Sequence, residues 1–182
     1  MQNPEIGRIA EIDRSERVTK IYVNRNGTLI RKDVDWRIPS WLLVGPPQQA
    51  LPKEINPEKH TPPAEIAIWR PMLAAGSSLF GAFDDKTLVG FSIYRPNLSQ
   101  DTAQLAALYV SKDYRGQGIG VLLLDKVVEM ARADGAKKLY VSSTPTTVTV
   151  DFYMSKGFDL TKEINQHLYE LEREDIHMIK NL

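Results

Sequence analysis

The chain has 182 residues, 42% of them hydrophobic, with 23 basic and 23 acidic side chains. That length suits one domain with a real core, and the balanced charge argues against a general nucleic-acid binder. There is no cysteine, which excludes disulfides, cysteine-rich zinc sites and a cysteine nucleophile. The apolar runs fall short of a membrane span, and the first residues lack the basic-then-apolar pattern of a signal peptide. The expectation is a soluble, cytoplasmic protein with neither nucleic-acid nor membrane partners.

In chain order, residues 6–12 read as a first strand, with Gly7, Arg8 and Glu11 interspersed. Residues 19–31 read as a hairpin, because Asn26-Gly27 suits a type I′ turn whose two central residues need positive φ. From 36 to 63 the chain is rich in proline and reads as a long loop across one face, with Trp36 and Trp41 as anchors. Residues 64–75 predict a short helix limited or kinked by Pro71. Residues 79–83 and 87–94 read as strands joined by Asp84-Asp85-Lys86, and 103–110 as a third. Ile119, Leu123, Val127, Met130 and Ala131 recur at helical spacing opposite Asp125, Glu129 and Arg132, and Gly135 is a fitting stop. Residues 138–142 read as a strand, and 146–156 as a helix ended at Gly157 despite four β-branched residues. Residues 158–161 and 168–171 read as closing strands, and Glu172-Arg173-Glu174-Asp175 as a solvated turn. Mainly antiparallel strands followed by a strand–helix–strand–helix unit argue an α/β (α+β) sheet with helices packed on it. One domain is expected over 1–182: a strand, hairpin and proline-rich loop over 1–63, a core over 64–171, and a C-terminal tail over 172–182.

The most informative stretch is 109–120, where the apolar run 105–110 meets Ser111-Lys112-Asp113-Tyr114-Arg115-Gly116-Gln117-Gly118-Ile119-Gly120. Three glycines at alternate positions bare the backbone where a helix presents unpaired N–H groups and a partial positive charge. Such a turn can cradle a pyrophosphate, with Arg115 adding a charge beside it. A tight strand-to-helix turn is the competing reading. The dinucleotide fingerprint fails at Val121, where it needs glycine, and the P-loop Gly-Lys-Ser/Thr is missing.

A second element follows one strand and one helix later: Phe152-Tyr153-Met154-Ser155-Lys156-Gly157-Phe158. With it, the segment 105–158 resembles the acetyl-coenzyme A binding core of the GNAT superfamily of N-acetyltransferases. The strand pair over 79–94 extends that resemblance. It implies a GNAT fold, a mixed and mainly antiparallel sheet flanked by helices, with the N-terminal hairpin as an elaboration. It implies acetyl-coenzyme A as co-substrate, no metal, and direct attack by a primary amine in a ternary complex. Carried over by position, the amides of Arg115, Gly116, Gln117, Gly118, Ile119 and Gly120 would bind the pyrophosphate. Backbone groups of Leu108, Tyr109 and Val110 would flank the pantetheine where the family's sheet splays open. The Val110 amide would polarise the thioester carbonyl, and Tyr153 would protonate the departing thiolate. Tyr153 also has a plain packing reading beside Phe152. Thr146 stands where the family often has an asparagine bound to the pantetheine; Ser142, Ser143 and Thr144 lie nearby.

The acceptor side is less legible. Many family members carry a glutamate on the strand entering the phosphate loop, but 103–110 contains no carboxylate, so the general base is not identified. Glu65 and His167 are weak candidates; His60 and His177 suggest no metal cluster; Trp36, Trp41 and Trp69 line a pocket or anchor the core. The 36–63 segment is the expected specificity element, since loops on a rigid scaffold commonly carry recognition. A small-molecule or peptide amine is the expected acceptor, and a homodimer is common in the family. Two alternatives stay open at this point: an acyl-coenzyme A sensor with little turnover, and an acyltransferase using another acyl group.

Overall fold

Ile6, Ile9 and Ile12 recur every third residue and all three are buried. Three is the period of a 3₁₀ helix, whose side chains at i and i+3 eclipse. Asn3–Glu11 accordingly forms a 3₁₀ segment, where a strand was expected. The computed structural model describes residues 3–38, 40 and 62–182. Most of the proline-rich stretch expected to select the acceptor, including Trp41 and His60, lies outside the described residues. Its two ends are regular, since 36–38 complete a strand and 62–63 open a helix.

The hairpin is longer than its sequence signal. Strands β1 (Glu16–Arg25) and β2 (Thr28–Ile38) pair antiparallel as a separate two-stranded sheet. Their turn is the expected one, with φ of 53° at Asn26 and 87° at Gly27. Helix α1 (Pro62–Ala74) carries Pro71 inside it and runs on, with Trp69 and Leu73 buried against the 3₁₀ segment. The proline removes one intrahelical hydrogen bond, and the packing of that face holds the rest.

The main sheet comprises β3 (Ser78–Asp84), β4 (Thr87–Ser99), β5 (Thr102–Val110), β6 (Lys138–Ser143), β7 (Asp159–Leu160) and β8 (Ile176–Asn181). Its order is β3-β4-β5-β6-β8-β7, and β5–β6 is the parallel pair in an otherwise antiparallel sheet. Helix α2 (Ile119–Ala133) links β5 to β6, and α3 (Thr147–Ser155) follows β6. Residues 168–171, expected as a strand, instead end the short helix α4 (Gln166–Leu171), whose first turn is capped by the Asn165 side chain on the Leu168 N–H. The last strand is β8, inserted between β6 and β7, so the stretch expected as a tail holds part of the sheet.

Apolar side chains cover both faces. Leu105, Leu124, Val127, Leu139, Val141, Val150 and Met178 form one core with α2 and α3. Ile6, Ile9, Trp69, Phe91 and Ile93 form the other with α1 and the 3₁₀ segment. A register shift between Ile93 and Tyr94 places Leu105 in the first core and Ala107 in the second, although a regular strand would put both on one face.

Candidate active site

The parallel ladder between β5 and β6 stops early. It holds Thr102–Lys138, Ala103–Leu139 and Gln104–Tyr140, and beyond Gln104 the two strands are unpaired. Where the backbone of β5 points follows from its other neighbour. The Ser111 N–H donates to the Val89 carbonyl at 2.8 Å, and the next pair in register is Gly90–Val110. Antiparallel pairs alternate between exchanging hydrogen bonds and facing away. Val110 and Leu108 therefore turn their N–H and C=O groups away from β4, into the gap left by β6. An extended ligand arm entering that gap meets the Leu108 backbone groups and the Val110 N–H, as an added strand would, while the Val110 carbonyl already accepts from Arg115.

The basic turn sits at the mouth of the same gap. Gly116 and Gly118 take φ of 75° and 87°, in the left-handed region that favours glycine. Gly118 is the N-cap of α2, and no side chain caps that end. A Cβ built on Gly116 or Gly118 would meet nothing within 4 Å, so the bare backbone opens outward. Val121 and Leu122 donate to the Gly118 carbonyl, which leaves the donors just before them to an incoming anion. Ser111 holds the turn from behind by accepting from the Asp13 N–H at 3.0 Å, while the Lys112 N–H donates to the Asp13 carbonyl at 2.9 Å. Arg115 folds back over the turn: its Nε donates to the Val110 carbonyl at 3.1 Å, and its guanidinium lies 3.3 Å from Glu16.

Tyr153 closes the inner end. Thr146 caps α3 through its hydroxyl, which accepts from the Thr149 N–H, and this aims the last turn of α3 at the gap. Tyr153 is 4% exposed and stands edge-on to both Phe152 and Phe158, with ring centroids 5.3 Å away in each case. Burial first, and then Tyr109 and Asp175, push its phenol above the ordinary tyrosine value, so it keeps its proton throughout the neutral range.

These groups share one cleft of about 480 Å³. Leu108, Tyr109, Val110, Arg115, Gly116, Gly118, Ile119, Gly120 and Tyr153 line it, as do Phe152 and Thr144. Gln117 and Thr146 are not among the lining residues: the Gln117 amide donates to the Asp113 carbonyl, and the Thr146 hydroxyl is engaged in its cap. The residues that sequence reasoning missed come from the hairpin side. Arg14 stacks 3.9 Å above the Tyr109 ring, and Glu16 pairs with Arg115; both line the cleft. His167 is exposed on α4, and Trp69 packs in the core against Phe91 and Tyr109. Asp175, expected in a solvated turn, is half-buried and accepts from the Ser142 hydroxyl at 2.8 Å. Among the described residues, no three histidine or acidic side chains converge as a metal site would require.

A splayed parallel pair, a glycine-rich turn at a helix start and a buried tyrosine in one cleft define a class of protein, and comparison with known proteins gives the same class. The chain belongs to the GNAT acetyltransferase family, whose model matches residues 43–158. An amino-acid acetyltransferase of Escherichia coli K12 is 26% identical over 103 residues, which are 54% of this chain and 23% of that protein. The match thus spans less than a quarter of that relative. A nourseothricin acetyltransferase structure superposes with a TM-score of 0.64 at 20% identity, covering 98% of this chain and 93% of that one. The PaiA N-acetyltransferase of Thermoplasma acidophilum, in complex with coenzyme A, gives 0.51 at 26% identity over 69% of this chain and 74% of that one. The fold is the GNAT fold.

Proposed function

We propose that the protein transfers an acetyl group from acetyl-coenzyme A to a primary amine by direct attack, without a covalent enzyme intermediate. The observation that carries this reading is the gap between β5 and β6, into which Leu108 and Val110 turn their backbone groups. Family membership and a relative crystallised with coenzyme A support it.

The residues divide the work by position. Amides from Arg115 to Gly120 at the start of α2 hold the pyrophosphate, where the helix end favours negative charge. Leu108 and Val110 pair with the pantetheine amides. The Val110 N–H donates to the thioester oxygen as negative charge builds on it, and a donor fixed by its strand stabilises that charge without reorganisation. Tyr153 supplies the proton to the sulfur as the carbon–sulfur bond breaks. A phenol is suited to this task because it reaches the thiolate still protonated.

Calorimetric titration with acetyl-coenzyme A, run beside a thiol-release assay, tests the proposal. The amine panel is L-glutamate, spermidine, nourseothricin and a short peptide with a free N-terminus, which samples the acceptor types named by relatives and their chemical neighbours. Binding followed by amine-dependent thiol release is the expected result. Binding with no release across the panel would favour a sensor, and no binding at millimolar ligand would overturn the reading. Tighter binding of a longer acyl-coenzyme A would reassign the donor.

A further inference from the structure

An amine that arrives as ammonium must lose a proton before it can attack, and strand β5 offers no carboxylate to take it. The far side of the sheet does. Leu139 and Val141 of β6 pack in the core beneath α2, so Tyr140 and Ser142 face the opposite side. Ser142 lies two residues past the last β5–β6 pair, at the edge of the gap. Its hydroxyl donates to Asp175 Oδ2 at 2.8 Å, which fixes that carboxyl on the side of the sheet away from the coenzyme cleft. Asp175 is nonetheless close enough to raise the phenol of Tyr153, which stands in the core on the α2 side, as well as that of Tyr140. A buried phenol that lines the cleft thus stands on one side of the sheet, and a half-buried carboxyl held by the gap-edge residue Ser142 stands on the other.

We propose that Asp175 is the proton acceptor for the attacking amine, which enters the gap from the face opposite α2 and α3. This rests on the acetyl-transfer reading above. The groups around Asp175 are Glu172 from the end of α4, Ser142 from β6, Tyr153 from α3, and Tyr140 beside His177 where β6 meets β8. Burial holds the Asp175 carboxyl well above the usual carboxylate range, and the neighbouring Glu172 adds to this; the Ser142 hydroxyl pulls the other way, more weakly. Among the described carboxyls with a resolved shift, Glu11, Asp13 and Asp35 all move down. A carboxyl shifted up, opposite a phenol shifted up, is the arrangement of a base facing an acid.

The protons balance. Asp175 takes one proton from R–NH₃⁺, and the nitrogen lone pair forms the carbon–nitrogen bond while the carbonyl π pair moves to oxygen. As that pair returns, the carbon–sulfur bond breaks and Tyr153 protonates the sulfur. The Tyr153 phenolate then recovers its proton from the new amide nitrogen. One proton remains on Asp175 and passes to solvent.

The test uses the full chain, acetyl-coenzyme A, and whichever member of the named amine panel the wild-type protein acetylates fastest. Asp175→Asn should leave acetyl-coenzyme A affinity unchanged while lowering kcat/KM for the amine about 100-fold. Glu172→Gln should keep affinity and move the acidic limb of the pH–rate profile to lower pH, because it removes a charge that raises Asp175. In the wild-type protein, ¹³C-carboxyl NMR should find Asp175 titrating well above an ordinary aspartate. An unchanged rate in a folded Asp175→Asn protein, a parallel loss of coenzyme binding, or an ordinary Asp175 titration would each overturn the inference while leaving the acetyl-transfer reading standing. Failure of the wild-type protein to bind acetyl-coenzyme A would overturn both.

Discussion

Glu16 and Arg115 lie 99 positions apart in the chain, yet their side chains meet at 3.3 Å in the mouth of the cleft. The pair ties the hairpin to the glycine-rich turn, and it holds the guanidinium against the Val110 carbonyl rather than out toward a phosphate. A bound pyrophosphate has to compete with Glu16 for that cation. Glu16→Gln is therefore expected to tighten acetyl-coenzyme A binding about 2- to 5-fold, the size of a partly exposed ion pair. The gain should shrink as salt is added. Calorimetry at two ionic strengths reads both; weaker binding in the variant would mean that Glu16 presents Arg115 to the ligand.

Gly118 is a position at which the turn tolerates little. Its φ of 87° disfavours any side chain, and the outward space beside it is where an anion would lie. Gly118→Ala adds left-handed strain of roughly 1–2 kcal/mol, expected to lower Tm by about 2–8 °C. Gly118→Asp adds a negative charge as well, and should weaken acetyl-coenzyme A binding by about 10- to 100-fold or more, equal to losing one or two charge-assisted hydrogen bonds. A thermal melt separates strain from charge, and equal affinities for the two variants would remove the anion from this turn.

Tyr153→Phe keeps the ring between Phe152 and Phe158 and removes only the hydroxyl. Turnover should fall about 100-fold with little change in coenzyme affinity. Because the folded phenol sits above the ordinary tyrosine value of 10.0, wild-type turnover should show no basic limb from Tyr153 below about pH 10. Stopped-flow measurement of the chemical step is the check, and an unchanged rate there would leave the residue a packing role.

Local chemistry was legible in the sequence wherever a few adjacent residues decide it. Asn26-Gly27 sets its turn by φ, and the step from apolar strand to Gly116, Gly118 and Gly120 marks the start of α2. What failed depended on period or on distance. Ile6, Ile9 and Ile12 gave a short apolar run that suits a strand, although their spacing of three is helical. Leu168, Tyr169 and Leu171 look strand-like until the Asn165 cap is recognised, and His177, Lys180 and Asn181 disguise a strand whose other residues are apolar. The gap beside β5 was expected only from the family resemblance, since nothing within 102–110 says where β6 stops pairing. Arg14 and Glu16 reach the site, and Asp175 reaches Ser142, through contacts between residues far apart in the chain, which no local pattern encodes.

His177, expected only as a residue outside any metal cluster, is a buried group whose protonation the fold opposes. The Tyr140 hydroxyl accepts from the Asn165 N–H at 3.0 Å and shares a hydrogen bond with His177 Nδ1 at 2.7 Å. The other ring nitrogen, Nε2, is buried without a hydrogen-bond partner among the described residues, so an imidazolium would leave a charged N–H unsatisfied there. Burial lowers the folded pKa below the ordinary 6.5, so the unfolded chain takes up a proton first as the pH falls. Stability from this group is complete above about pH 6.5 and drains away as the pH falls toward the folded pKa. Asp175 works in the opposite sense, its raised pKa favouring the folded state as carboxylates protonate, so the wild-type curve alone mixes the two. The comparison that isolates His177 is the stability difference between wild type and His177→Gln, measured by urea unfolding from pH 7.5 to 5. Wild type should lose ground to the variant below about pH 6.5, while a difference independent of pH would mean that the folded protein accepts the imidazolium without cost.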